Sequence, residues 1–311
     1  MTPKIAFIFP GQASQYVGMG REIAATPIGA DLFARADRAL GFPLSRLCFE
    51  GPEEELNRTD NTQPAILTVS LIVFRLLAER GIRPALSAGH SLGEYSALAA
   101  AGALTFTDAV RLVRRRGEMM DEAARTAPGC GMAAVVGLPP EEVETICREA
   151  SAAGVVEAAN YNSSVQTAIS GERAGLEKAI ELAREWGAKR ALMLPVSAPF
   201  HCRLMDPVAE RFSRELETAE IADAAWPVVA NVTARPQTGA GEIRKNLIAQ
   251  VNGPVRWTAT VEYMIAEGID TFIEVGPGRV LTGLLKKIDR KVTCVPVETP
   301  ESIESLIATL G

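Results

Sequence analysis

Short apolar runs alternate with longer stretches of helical period along most of the chain. The first part reads as a strand (KIAFIFPG), helices, a second strand (ALSAGH) and an alanine-rich helix from Leu92 to Ala101. From Trp226 onward, PVVANVT, TFIEVG and KVTCVPV read as strands between helical stretches. Strands that alternate with helices predict an α/β fold with a mainly parallel sheet covered by helices on both faces. The middle has a different rhythm. GMAAVVG reads as a strand, PEEVETICREA as a helix opened by its proline and acids, and VVEAANYN and VQTAISG as two strands in succession. ERAGLEKAIELAREWG then gives a helix ended by Gly187, and AKRALMLPV a last strand. This β-α-β-β-α-β order is the ferredoxin-like pattern. It predicts a small domain at 128–196 inserted into a large one made of 1–127 and 197–311.

Composition narrows the functional classes. A charged fraction of 23% and a net charge of -6 provide no basic field, so no nucleic-acid partner is expected. The longest apolar stretch, Ala65 to Phe74, is interrupted by Arg75 and falls short of the ~20 residues that span a bilayer, so no membrane partner is expected. The N-terminus opens on a strand rather than on a charged segment followed by a long apolar run, and a cytoplasmic location is the expectation. Five scattered cysteines without a C-x-x-C fit a reducing compartment, and with only two histidines no metal site is expected. Monomer is the default oligomeric state.

Chemistry is concentrated in three places. GHSLG, residues 89 to 93, matches G-x-S-x-G, the sharp strand-to-helix turn that lifts a serine hydroxyl clear of a sheet. The alternative is an N-cap serine in an ordinary βα turn. A nucleophilic Ser91 needs a base. His90 adjoins it and projects to the opposite face, which leaves His201, just past the small domain's last strand. No acid identifies itself as a third member, and a backbone carbonyl could orient the imidazole equally well. The helix beginning near Thr107 carries four arginines. Arg116 alone lies within the apolar stripe of Ala109, Leu112, Val113 and Met120, whereas Arg111, Arg114 and Arg115 are expected in solvent. A buried guanidinium needs an anion, either an interior carboxylate of the protein or a substrate carboxylate held by the planar fork.

These residues resemble the malonyl-CoA:acyl carrier protein transacylases and the acyltransferase domains of fatty-acid and polyketide synthases. The resemblance spans nearly the whole chain: FPGQASQ, TQPAI, GHSLGEY, RGEMM, NYNSSVQTAISG, PFHC, QVNGPVRWTATVEYM and EVGPG occur in order. It implies an α/β-hydrolase-like core and a ping-pong transfer of malonate from malonyl-CoA to acyl carrier protein, with no cofactor and no metal. Ser91 would be the nucleophile and His201 the base, with backbone N–H groups of Gln12 and Leu92 as the oxyanion hole. Arg116 would clamp the malonyl carboxylate, and the main-chain carbonyl of Gln250 would orient His201. Gln63, Met120, Asn160 and Asn162 would line the cleft. For Gln63, Asn160 and Asn162 the alternative is an exposed turn position. Phe200 resembles the bulky residue of malonyl-selective relatives and could equally be core packing. NYNSSVQ departs from the family in having Ser164 and Val165 where proline and glycine are common, which puts the loop shape in question. Rival functions are a serine hydrolase of the α/β-hydrolase type and a non-catalytic module that docks acyl carrier protein. A nucleotide-binding enzyme is disfavoured, because neither phosphate-loop motif is present.

Overall fold

The computed structural model describes residues 3–126, 129–196 and 198–310. Among them are ten strands: β1 (Ile5–Phe9), β2 (Leu86–Gly89), β3 (Cys130–Val136), β4 (Val156–Ser163), β5 (Gln166–Glu172), β6 (Arg190–Met193), β7 (Val228–Val229), β8 (Pro236–Gln237), β9 (Thr271–Val275) and β10 (Thr293–Val297). The domain boundaries expected from the sequence fall at residues 127, 128 and 197, outside the described residues.

The larger sheet has the order β10-β9-β1-β2-β7-β8, parallel throughout except for the antiparallel pair β7 and β8. Its centre is buried on both faces, and β1 shows why its sequence is apolar without alternation. Phe7 and Phe9 point into one hydrophobic cluster, while Ala6 and Ile8 point into the other. The first cluster packs under the helices Thr59–Glu79, Phe106–Thr126 and Asp206–Thr218, and the second under Trp257–Ala266 and Val280–Ile288. The second sheet is antiparallel with the order β4-β5-β3-β6. Two helices, Pro140–Ala150 and Arg173–Glu185, bury their apolar stripes against it. Gly187 takes φ +89° just beyond the second of these.

Three expectations need correction. PVVANVT is not a full strand, because only Val228 and Val229 pair with β2. The chain then turns away and Asn231 is drawn toward the loop after β2, while the unforeseen β8 folds back on β7. The apolar stretch at 65–74 is the middle of a 21-residue helix, Thr59–Glu79, which by length and composition could cross a membrane. Its most apolar window is 89% buried inside the protein, so it serves as a core helix here. Finally, Ser164 and Val165 form a tight two-residue turn between β4 and β5, and neither residue needs positive φ.

The turn after β2 is held by contact as well as by sequence. A Cβ on Gly93 would lie 2.0 Å from the Phe9 carbonyl oxygen, and one on Gly89 would lie 1.9 Å from the Gly93 carbonyl carbon. Both positions require glycine because backbone meets backbone there. Gly93→Ala is therefore expected to destabilise the protein by about 3 kcal/mol or more, the upper range for overpacking. The shift of the urea midpoint against Gly241→Ala, a helical glycine with nothing within 4 Å and no positive φ, measures it.

Candidate active site

Ser91 sits between β2 and the helix Leu92–Ala100 with φ 51° and ψ -108°, a conformation rarely adopted by a residue with a side chain. Holding it costs about 1–3 kcal/mol. Ser91 occupies the N-cap position of this helix, but its hydroxyl makes no capping bond. Both of its own main-chain polar groups are secured instead. The Ser91 N–H donates to Asn231 Oδ1 at 2.7 Å, and the Ser91 carbonyl accepts from Gln250 Nε2 at 2.9 Å. The hydroxyl is thus left to His201 Nε2 at 2.7 Å and Arg116 Nη2 at 3.2 Å.

His201 also has positive φ, 62°. Its Nδ1 lies 2.9 Å from the Gln250 carbonyl oxygen and 3.1 Å from that of Gly253. Carbonyls only accept, so Nδ1 carries the proton and Nε2 keeps a free lone pair toward Ser91. Burial, followed by the nearby Arg116 charge, pushes the imidazole pKa down to about 3. His90 turns away as expected. Its Nε2 meets Asn162 Oδ1 at 2.8 Å, its ring packs by Trp257, and burial lowers its pKa too.

Arg116 is 2% exposed. Nη1 donates to Gln63 Oε1 at 2.9 Å and Nη2 to Gln250 Oε1 at 3.0 Å, while Nε has no partner among the described residues. The Tyr95 ring centroid is 5.4 Å from its Cζ. No Asp or Glu of the described residues forms an ion pair with it, so its neighbours are neutral oxygens and an aromatic face. The helix phase separated Arg116 from its neighbours correctly, but Arg114 is not simply solvated. It is half-buried and pairs with Asp60 at 3.0 Å and Glu118 at 2.8 Å, fastening two long helices together. Arg111 and Arg115 are exposed.

A cavity of about 230 Å³ opens over these groups. Gln12, Gln63, Met120 and Phe200 line it from the larger sheet's side, and Asn160 and Asn162 from β4. Gln63 is on a buried helix and both asparagines on a strand, not in exposed turns. Phe200 both lines the cavity and packs between two hydrophobic clusters. The Leu92 N–H belongs to the first helical turn, which lacks intrahelical acceptors, and Gln12 belongs to the loop after β1 beside the same cavity. Among the described residues no cluster of three His, Cys, Asp or Glu could hold a metal ion.

Sequence reasoning missed Glu94, Asn231 and Gly253. Glu94 is fully buried and accepts from Gln250 Nε2 at 2.7 Å, Gln237 Nε2 at 2.8 Å and the Asn231 N–H at 3.1 Å. Burial pushes its pKa up to about 7 against the pull of those donors and of Arg116. The available signals were an acid in the otherwise apolar LGEYSALAA and an asparagine inside PVVANVT.

Comparison with known proteins identifies the family. A family model described as the acyl transferase domain matches residues 6–302. The malonyl CoA-acyl carrier protein transacylase of Bacillus subtilis is 49% identical over 309 residues, covering 99% of this chain and 97% of that protein. Among solved structures, the malonyl CoA-acyl carrier protein transacylase of Coxiella burnetii superposes with a TM-score of 0.97 at 42% identity, covering 100% of this chain and 98% of the other. A malonyl-transacylase solved in complex with its type II PKS acyl-carrier protein gives a TM-score of 0.95 at 42% identity, covering 98% and 99%. With the match running from β1 to the last helix, the chain belongs to the acyl transferase domain family.

Proposed function

We propose that this protein moves malonate from malonyl-CoA to the phosphopantetheine thiol of acyl carrier protein, for fatty-acid or polyketide synthesis, through an ester on Ser91. The observation that carries this reading is Arg116, a buried guanidinium with no carboxylate partner among the described residues and one N–H 3.2 Å from the Ser91 hydroxyl. A planar fork there suits an acyl group that ends in a free carboxylate.

In the first half-reaction Ser91 Oγ attacks the thioester carbon and its proton passes to His201 Nε2, 2.7 Å away. The oxyanion of the tetrahedral intermediate is held by the N–H groups of Gln12 and Leu92. The C–S bond then breaks, and the CoA sulfur takes the proton back from His201. In the second half the carrier thiol gives its proton to His201 and attacks the ester carbon. Ser91 Oγ leaves with that proton. Gln250, through its carbonyl, keeps the imidazole in the tautomer both halves need. Phe200 narrows the cavity against α-branched acyl groups. The chemistry needs neither cofactor nor metal.

The same reading assigns an α/β-hydrolase-like core to 1–127 and 197–311 and a ferredoxin-like unit to 128–196. The antiparallel order β4-β5-β3-β6 supports the latter. A cytoplasmic monomer with no nucleic-acid or membrane partner completes it. The hydrolase alternative gives no account of the buried Arg116, and a docking module gives none of the Ser91–His201 contact.

Two experiments test this reading. Brief mixing with malonyl-CoA is expected to add one malonyl mass to the intact protein, to add none to Ser91→Ala, and to be reversed by holo acyl carrier protein with transfer to the carrier. Free malonate released at a rate indifferent to the carrier would contradict it. A base must also be neutral, and both histidines have pKa values lowered by burial. Ring-proton NMR is thus expected to find no histidine titrating near the ordinary value of about 6.5 between pH 8 and pH 5. A His201 midpoint at or above the ordinary value would contradict the dry, Arg116-facing environment of its ring, and would leave its role as base untouched.

A further inference from the structure

All the hydrogen bonds at the Glu94 carboxylate point toward it. Ionised, a carboxylate only accepts, and here it receives two side-chain amides and one main-chain N–H. This sets the direction of each amide. Gln250 must turn its Nε2 to Glu94, so its Oε1 faces Arg116 Nη2 at 3.0 Å. Gln237 must likewise turn its Nε2 to Glu94, and its Oε1 then accepts from Asn246 Nδ2 at 2.9 Å. The main-chain N–H of Asn231 goes to Glu94 while its side chain holds the Ser91 N–H and the Gly89 carbonyl.

We propose that Glu94 is a positioning residue for acyl-group selection: by fixing the Gln250 amide it presents an oxygen to one arm of Arg116 and keeps the guanidinium aimed at the acyl end of the cavity. Glu94 touches neither substrate nor Ser91 Oγ. When ionised it adds negative charge near Arg116, but through an intervening amide, so the fork makes no direct ion pair and stays open to a substrate carboxylate. This inference rests on the reading of Arg116 as the carboxylate clamp. A glutamine at 94 could donate as well as accept, which would leave the Ser91 carbonyl as the only acceptor holding the Gln250 NH2 in that orientation.

The test is the ratio of kcat/KM for Ser91 acylation by malonyl-CoA over acetyl-CoA, from rapid-quench intact mass on the full chain, for wild type, Glu94→Gln, Gln250→Met and Arg116→Ala. Glu94→Gln is expected to lower the ratio by about tenfold or more, a difference of about 1.4 kcal/mol in transition-state binding, with a melting temperature close to wild type. If that variant does not fold, Gln250→Met carries the test. It deletes the amide but keeps the main-chain carbonyl that His201 uses, and the same loss is expected. A ratio preserved within twofold in the folded variant, while Arg116→Ala collapses it, would overturn the role of Glu94 and leave Arg116 intact. A ratio unchanged in Arg116→Ala would overturn the clamp and this inference with it.

Discussion

One positive charge kept dry governs the arrangement of this protein. Removing a guanidinium from water is costly unless hydrogen bonds and an anion compensate it. Arg116 receives two amide oxygens, a serine hydroxyl and an aromatic face, but no adjacent carboxylate among the described residues. Each amide arrives from a different element. Gln63 comes from the long core helix Thr59–Glu79, and Gln250 from the helix Ala240–Asn252. The clamp therefore exists only once distant parts of the chain have packed.

The same elements hold two strained backbones in contact. Ser91 and His201 both have positive φ, and their side chains meet at 2.7 Å. Such conformations persist where the surroundings over-determine them. Here β1 presses on Gly93, Asn231 holds the Ser91 N–H, and Gln250 holds the Ser91 carbonyl with its side chain and the His201 ring with its main chain. Gln250 thus joins nucleophile, base and clamp in one residue, and the preorganisation of the site is largely the placement of that residue. The second sheet closes the cavity from the other side. The Tyr161 N–H of β4 donates to the Val255 carbonyl, and Val255 follows closely on Gly253, whose carbonyl also faces His201.

Much of this was legible in the sequence, for reasons that differ by element. The β-α-β-β-α-β stretch was readable, with its last strand read three residues too long at its C-terminal end, because its helices are amphipathic and glycine or proline flanks most of its elements. Arg116 was found by helix phase alone, since a single buried charge breaks an apolar stripe. PVVANVT misled because its apolar content reports burial, whereas the strand ends at Val229 to deliver Asn231 to the nucleophile's turn. Arg114 misled because phase cannot see the Asp60 carboxylate waiting on another helix. Glu94 lies within a quoted motif yet suggested no role, because its partners at 231, 237 and 250 are far away in sequence.

The central claim is that the buried fork of Arg116 reads a carboxylate at the end of the acyl group. The most direct measurement compares Ser91 acylation by malonyl-CoA with acylation by its analogue carrying a neutral primary amide in place of the free carboxylate. The two acyl groups have nearly the same shape, so the comparison isolates the charge. The account predicts that the amide loses about 2–5 kcal/mol of transition-state binding in wild type, the range for breaking a buried charge pair. Equal rates for the two acyl groups would contradict it.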